Sequence, residues 1–195
     1  MPKGHVTIEA VYSDNPFVDV TKDDWFYDAV IYTYNAGLMT GLDATHFGPY
    51  NQLSRAQFAL ILYRMEGEPA FTTEKTFADI SGSEWYGQAV LWAAEAGIVG
   101  GYESGCFGPA DMITREQMAV MMYRYAKYLG KDTTNEGDLS KFADEKAVSL
   151  FAVDALKWAT DKGIITGKEN GTKLDPQGNT ARAETAVIIQ RFLEK

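Results

Sequence analysis

Phe107-Gly108-Pro109-Ala110-Asp111-Met112-Ile113-Thr114-Arg115-Glu116-Gln117 has two counterparts elsewhere in the chain. They are Phe47 to Gln57, with Pro49, Ser54 and Arg55 in the matching places, and Leu174 to Glu184, with Pro176, Ala181 and Arg182. Proline and arginine stand six residues apart each time, while the arginines themselves are spaced by 60 and 67 residues. Working outward, each copy is preceded by Phe-x-Asp (Phe17 and Asp19, Phe77 and Asp79, Phe142 and Asp144) and then an aromatic (Trp25, Trp85, Phe151). Next comes Gly-Leu/Ile-x-x-Gly, from Gly37 to Gly41, Gly97 to Gly101 and Gly163 to Gly167. Self-similarity at this period fixes three structural units, at 17–66, 77–130 and 142–195, before any propensity is consulted. Units of about 60 residues are marginal as separate cores, so the copies are expected to pack together.

Each unit reads as helix, loop, helix. Trp25, Ala29, Tyr32 and Ala36 form one apolar stripe at helical spacing, and Trp85, Ala89, Trp92 and Ala96 repeat it. Gly37, Gly97 and Gly163 are expected as left-handed C-terminal caps. Ser54-x-x-Gln57 and Thr114-x-x-Gln117 are capping boxes, whereas the third copy has Ala181 at the cap and Glu184 beyond it. The second helices are apolar nearly all round, which predicts burial between units. Linkers run over 66–76 and 130–141. Ahead of the first unit, His5 to Tyr12 alternates like a strand and ends at Ser13-Asp14-Asn15-Pro16, so 1–16 reads as the tail of a preceding β domain or a linker.

A formal net charge of −9, with 18 basic and 27 acidic residues and no basic block, argues against a nucleic-acid partner. No stretch is long and apolar enough to predict membrane insertion. Cys106 is alone, which rules out an internal disulfide. His5 and His46, the two histidines, recur in no other copy, and no metalloprotease, nucleophile-elbow or P-loop motif is present. Asp132 to Asp144 resembles a calcium loop only in outline, since Ala143 stands where a bidentate Glu is required. No catalytic residue, metal or cofactor is expected.

Arg55, Arg115 and Arg182 recur in the first turn of a helix, the unfavourable end for a cation. Two readings coexist: an anion site formed with the helix N-terminal amides, or a lock on Asp19, Asp79 and Asp144. A second arginine follows nine residues later (Arg64, Arg124, Arg191), half a turn out of phase, and reads as structural. Trp25, Trp85 and Phe151 are read first as core and second as sugar platforms. Gly41, Gly101 and Gly167 are read first as positive-φ positions and second as points of close approach.

Taken in order and three times over, these motifs resemble tandem S-layer homology modules, and the resemblance covers Phe17 to about Leu193. It implies an all-α, pseudo-threefold spindle with a central three-helix bundle and grooves between modules. It further implies non-covalent anchoring of a surface protein to an anionic secondary cell wall polysaccharide, often pyruvylated. The groove residues it implies are Arg55 with Gly41, Arg115 with Gly101 and Arg182 with Gly167. Asp19, Asp79, Asp144, Trp25, Trp85, Gln57, Gln117 and Glu184 are placed with them. A cell-surface location is expected, with the sequence read as a C-terminal fragment lacking its signal peptide. The alternative is a structural module that self-associates into a lattice without binding glycan.

Overall fold

The computed structural model describes residues 15–134 and 136–195, so the strand expected at His5 to Tyr12 lies outside them. Six α-helices carry the fold: α1 (Tyr27–Asn35), α2 (Arg55–Met65), α3 (Gly87–Glu95), α4 (Arg115–Tyr128), α5 (Val153–Asp161) and α6 (Arg182–Leu193). Two 3-10 turns, Glu145–Ala147 and Leu150–Ala152, lengthen the approach to α5. The described residues contain isolated β-bridges and no strand. The architecture is all-α.

Gly37, Gly97 and Gly163 end the first helices with φ of 70°, 71° and 66°. The loop that follows is tied down by the repeated aspartate. Asp19 accepts the backbone N–H groups of Phe47 and Gly48, both at 2.8 Å. Asp79 takes those of Phe107 (2.7 Å) and Gly108 (2.8 Å), and Asp144 those of Leu174 and Asp175, both at 2.8 Å. The repeated phenylalanine fills the space beneath. A Cβ added at Gly101 or Gly167 would meet the Phe77 or Phe142 ring at 2.8 Å, and one at Gly41 the Phe17 ring at 2.7 Å. Close approach, not positive φ, is therefore why these three positions are glycine.

The units interlock. α3 packs on α2 and α5 on α4, so each first helix lies against the second helix of the preceding unit. α1 closes the circle by packing on α6. Trp92 of α3 lies 5.4 Å from Tyr63 of α2, and Trp158 of α5 lies 5.5 Å from Tyr123 of α4. Among the described residues no first helix packs comparably on the second helix of its own unit.

The three second helices meet at their N-terminal ends in a ring of backbone hydrogen bonds. Leu53 N–H donates to Thr180 O (3.0 Å), Thr180 N–H to Ile113 O (3.0 Å) and Ile113 N–H to Leu53 O (2.9 Å). All three side chains are buried on the pseudo-threefold axis. Further along, the Tyr125 ring of α4 sits 5.8 Å from Phe192 of α6, and its hydroxyl donates to Glu66 at the end of α2. Carbonyls of the next unit also take the first amides of each helix. Arg55 N–H reaches Asp111 O and Ala56 N–H reaches Pro109 O; Arg115 and Glu116 reach Gly178 and Pro176; Arg182 and Ala183 reach Asn51 and Pro49.

The third unit departs in ways the structure explains. Ala181 keeps the extended N-cap geometry and Glu184 accepts its N–H at 3.2 Å, but the hydroxyl half of the capping box is missing. Glu116 replaces the alanine of the other copies and is buried, accepting from Ser149 N–H and Oγ and from Gln177 Nε2. It holds the longer segment before α5 in place.

Two stability predictions follow from this geometry. The Thr180 hydroxyl is buried without a hydrogen-bond partner in the described structure. Thr180→Val should therefore stabilise by about 1 kcal/mol, read by urea denaturation. Partial desolvation raises the Asp79 and Asp144 carboxyls, but the backbone N–H donors outweigh it and both end below their ordinary value. A depressed folded pKa adds stability that is complete above about pH 4 and is lost as pH falls through the folded value. Asp79→Asn with Asp144→Asn should lose less stability than the parent between pH 5 and about pH 3.

Candidate ligand-binding grooves

Where one unit meets the next, the signature arginine crosses over. Arg55 donates from Nε to Phe107 O at 3.0 Å and from Nη2 to Gly100 O at 3.3 Å, both in the second unit. Arg115 donates to Leu174 O (2.7 Å) and Thr166 O (3.0 Å) in the third. Arg182 donates to Phe47 O (2.8 Å) and to Thr40 O in the first. The guanidinium of Arg55 lies over the Phe107 ring and that of Arg182 over Phe47, at 4.7 and 4.5 Å. All three arginines are buried.

Burial lowers each guanidinium pKa, and nearby acids oppose the shift: Tyr102, Asp111 and Asp79 at Arg55, Glu184, Asp175 and Asp144 at Arg115, and Asp19 at Arg182. The expected arginine–aspartate lock is thus replaced. Each aspartate is hydrogen-bonded to loop amides and influences the arginine of the preceding unit only through its charge. The helix-terminal anion site is likewise corrected, because neighbouring carbonyls occupy the first two amides of each second helix. The third amide goes to Ser54 Oγ in α2 and to Thr114 Oγ1 in α4.

Three grooves result, and every one draws on all three units. Groove 1, of about 290 Å³, is lined by Arg182, Gly41, Gln57, Arg64 and Trp85. Groove 2, also about 290 Å³, has Arg55, Gly101, Gln117, Arg124 and Phe151 in the same roles. Groove 3, of about 510 Å³, has Arg115, Gly167, Glu184, Arg191 and Trp25. The pairings implied by the resemblance are therefore shifted by one unit: Arg55 faces Gly101, Arg115 faces Gly167 and Arg182 faces Gly41. Asp19, Asp79 and Asp144 are not among the lining residues of these grooves.

Two sequence readings are overturned here. The aromatics are not core: Trp25, Trp85 and Phe151 are 66%, 65% and 62% exposed. Trp25 and Trp85 precede their helices and stand edge-on against Phe26 and Tyr86, with centroids 5.3 and 4.9 Å apart, so each platform is braced. The second arginines also line the grooves. They do lie half a turn from the first set, but both sides of a second helix face a groove. Arg55 enters groove 2 while Arg64 enters groove 1, and α4 and α6 divide their arginines in the same manner.

Electrostatically the grooves differ. Grooves 1 and 2 each carry two arginines and no lining carboxylate. In groove 3, Glu184 approaches Lys168 at 3.2 Å and Arg115 at 3.8 Å, and Glu169 also lines the wall. That groove is largely self-neutralised.

Cyclic packing of three helical repeats around shared grooves defines a tandem-repeat helical module. The chain belongs to the S-layer homology domain family, whose model matches residues 16–59, 76–119 and 141–186. It is similar to an endoglucanase of a Bacillus species, at 34% identity over 92% of this chain and 19% of that protein. A surface-layer 125 kDa protein of Lysinibacillus sphaericus shares 32% identity over 86% of this chain and 14% of its own length. A cellulosome-anchoring protein of Acetivibrio thermocellus shares 30% identity over 83% of this chain and 36% of its own. The chain thus spans a minor part of these relatives. Their surface-layer and anchoring members support a place at the cell surface. Among the described residues no helix is long and apolar enough to cross a membrane.

The two arginine sets should separate by stability. Arg115→Ala leaves two carbonyls without their donor and should destabilise by about 2–4 kcal/mol. The Arg124 side chain is exposed and has no hydrogen bond or ion pair with another described residue, so Arg124→Ala should change stability by under about 0.5 kcal/mol. Thermal and urea unfolding of the two variants checks the ordering.

Proposed function

We propose that this chain anchors a surface protein to the cell wall by holding anionic termini of a secondary cell wall polysaccharide in its inter-unit grooves. The observation that carries the reading is the threefold pairing of an exposed aromatic ring with two arginines beside a glycine loop. An aromatic ring offers a flat apolar platform for the C–H face of a sugar, and guanidinium forks suit a carboxylate. A pyruvate ketal on a sugar presents both features within one unit, which makes a pyruvylated terminus the best chemical match. Grooves 1 and 2, free of lining carboxylates, are the ones expected to take it most tightly.

The same linings favour binding over turnover. Grooves 1 and 2 contain neither a carboxylate nor a histidine that could serve as general acid or base. The net charge of −9 repels a polyanion at long range, so attraction comes from short-range contacts that salt screens weakly. Several weak grooves engaging one wall would multiply through effective concentration.

Co-sedimentation tests the reading. The protein should pellet with walls that carry the polymer and remain in the supernatant with chemically stripped peptidoglycan. Trp85→Ala or Phe151→Ala alone should reduce wall binding only a few-fold, whereas the pair should reduce it by about a hundredfold as avidity is lost. Equal pelleting with both wall preparations would refute glycan recognition. Concentration-dependent self-assembly without wall binding would favour the lattice reading instead.

A further inference from the structure

Beyond the ring of Trp85, groove 1 does not end. A second concavity of about 370 Å³ lies next to it and shares Leu42, Gln57, Trp85 and Arg182 with the first. Its far wall belongs to the second unit, where Tyr86, Pro109 and Met112 supply an apolar surface. Asn51 and Gln52 of the first unit line it with amides. We propose that groove 1 continues past Trp85 into a second sugar subsite, so that this face holds at least two consecutive sugar units of the polymer. The inference rests on the glycan-anchoring reading above and extends it from a terminus to a run of the chain.

Three features fit a neutral sugar unit there. Leu42, Trp85 and Met112 are 53%, 65% and 43% exposed, an unusual grouping of large apolar side chains around one concavity. Apolar C–H faces of a pyranose cover such surfaces, while its hydroxyls need donors and acceptors of the kind Asn51 and Gln52 carry. Gln52 is held in position, since its Oε1 accepts from Asn179 of the third unit at 3.1 Å. The backbone beside Met112 is fixed as well, through the antiparallel bridge between Ser54 and Met112 at the axis. Size points the same way. Ligand sites commonly occupy roughly 300–1,000 Å³; the two cavities separately sit at its lower edge and joined fall inside it.

Charge divides the labour. Arg64 lines only the first concavity and Arg182 lines both, so an anionic terminus belongs on the Arg64 side of Trp85. The next unit, without a carboxylate of its own, then lies on Met112. Trp85 stands between the two and can be covered from both sides.

Methionine-methyl NMR with titration distinguishes the outcomes, because Met112 is one of only seven methionines and the exposed one in this concavity. The probes are a methyl hexoside carrying a pyruvate ketal, and the disaccharide and tetrasaccharide released from the wall polymer. The hexoside should shift the Met39 methyl in groove 1 and leave Met112 unmoved. The tetrasaccharide should shift both and bind about tenfold tighter, a gain that Met112→Ala removes without altering hexoside affinity. Oligosaccharides that bind no tighter than the hexoside and leave Met112 unmoved would overturn the second subsite while the anchoring reading stands. Equal weakening of all probes by Met112→Ala would overturn it too, since the residue would then act through groove 1 itself. Failure of all three probes to bind would overturn both readings.

Discussion

Every α-helix begins with backbone amides that its own turns cannot satisfy. In this protein the first two amides of each second helix are met across unit boundaries, by carbonyls of the proline loop of the next unit. Three such debts close into a circle around the Leu53, Ile113 and Thr180 ring. Much else follows from that closure. A helix start pinned to the neighbouring loop carries its first-turn arginine into that loop. The grooves must then lie at junctions, and none can be complete within a single unit. The packing of α1 on α6 repeats the logic at the level of whole helices. Stability and site therefore share one origin, and a unit removed from the circle would leave both an uncovered helix and an unfinished groove.

Burying three guanidiniums is expensive unless their donors are used. Here each one spends two donors on loop carbonyls and lies among carboxylates that partly offset desolvation. Five N–H donors in a rigid fork leave others free to face the groove. One residue can thus be a structural pin and, under the proposed glycan binding, a ligand contact as well. The second arginines are less buried and less tied: Arg64 reaches Leu38 O and Arg191 reaches Thr166 Oγ1, both half-buried, while the Arg124 side chain is exposed. Two arginines of unequal burial thus line every groove, the signature one held by two loop carbonyls and the second by one hydrogen bond or none.

The copies are not equivalent, and their differences are local chemistry on a common frame. Gln57 and Gln117 cap their helices and leave grooves 1 and 2 uncharged at that point, whereas Glu184 caps with a carboxylate that also neutralises Lys168 and Arg115. Phe151 stands where the others have tryptophan, set one residue later by the extra turn that Glu116 and Ser149 hold. Thr180 puts a hydroxyl on an axis that Leu53 and Ile113 keep apolar. Symmetry sets the positions; side chains then make the grooves chemically distinct.

The sequence alone determined the number of units, their helix–loop–helix content, the glycine caps and the two capping boxes. These are local matters, governed by turn chemistry and helical period within a dozen residues. It also identified the arginines, glycines and aromatics that recur, and even the half-turn offset between Arg55 and Arg64. Only the tertiary structure decided what those residues face. Period and spacing describe one helix, and a stripe that reads as core, such as the one beginning at Trp25, can start one turn outside the buried region. Which glycine meets which arginine depends on a neighbour some 45 to 140 residues away in the chain. Cyclic exchange between units leaves no mark in a repeat, because each copy carries the same residues whether it pairs with itself or with the next.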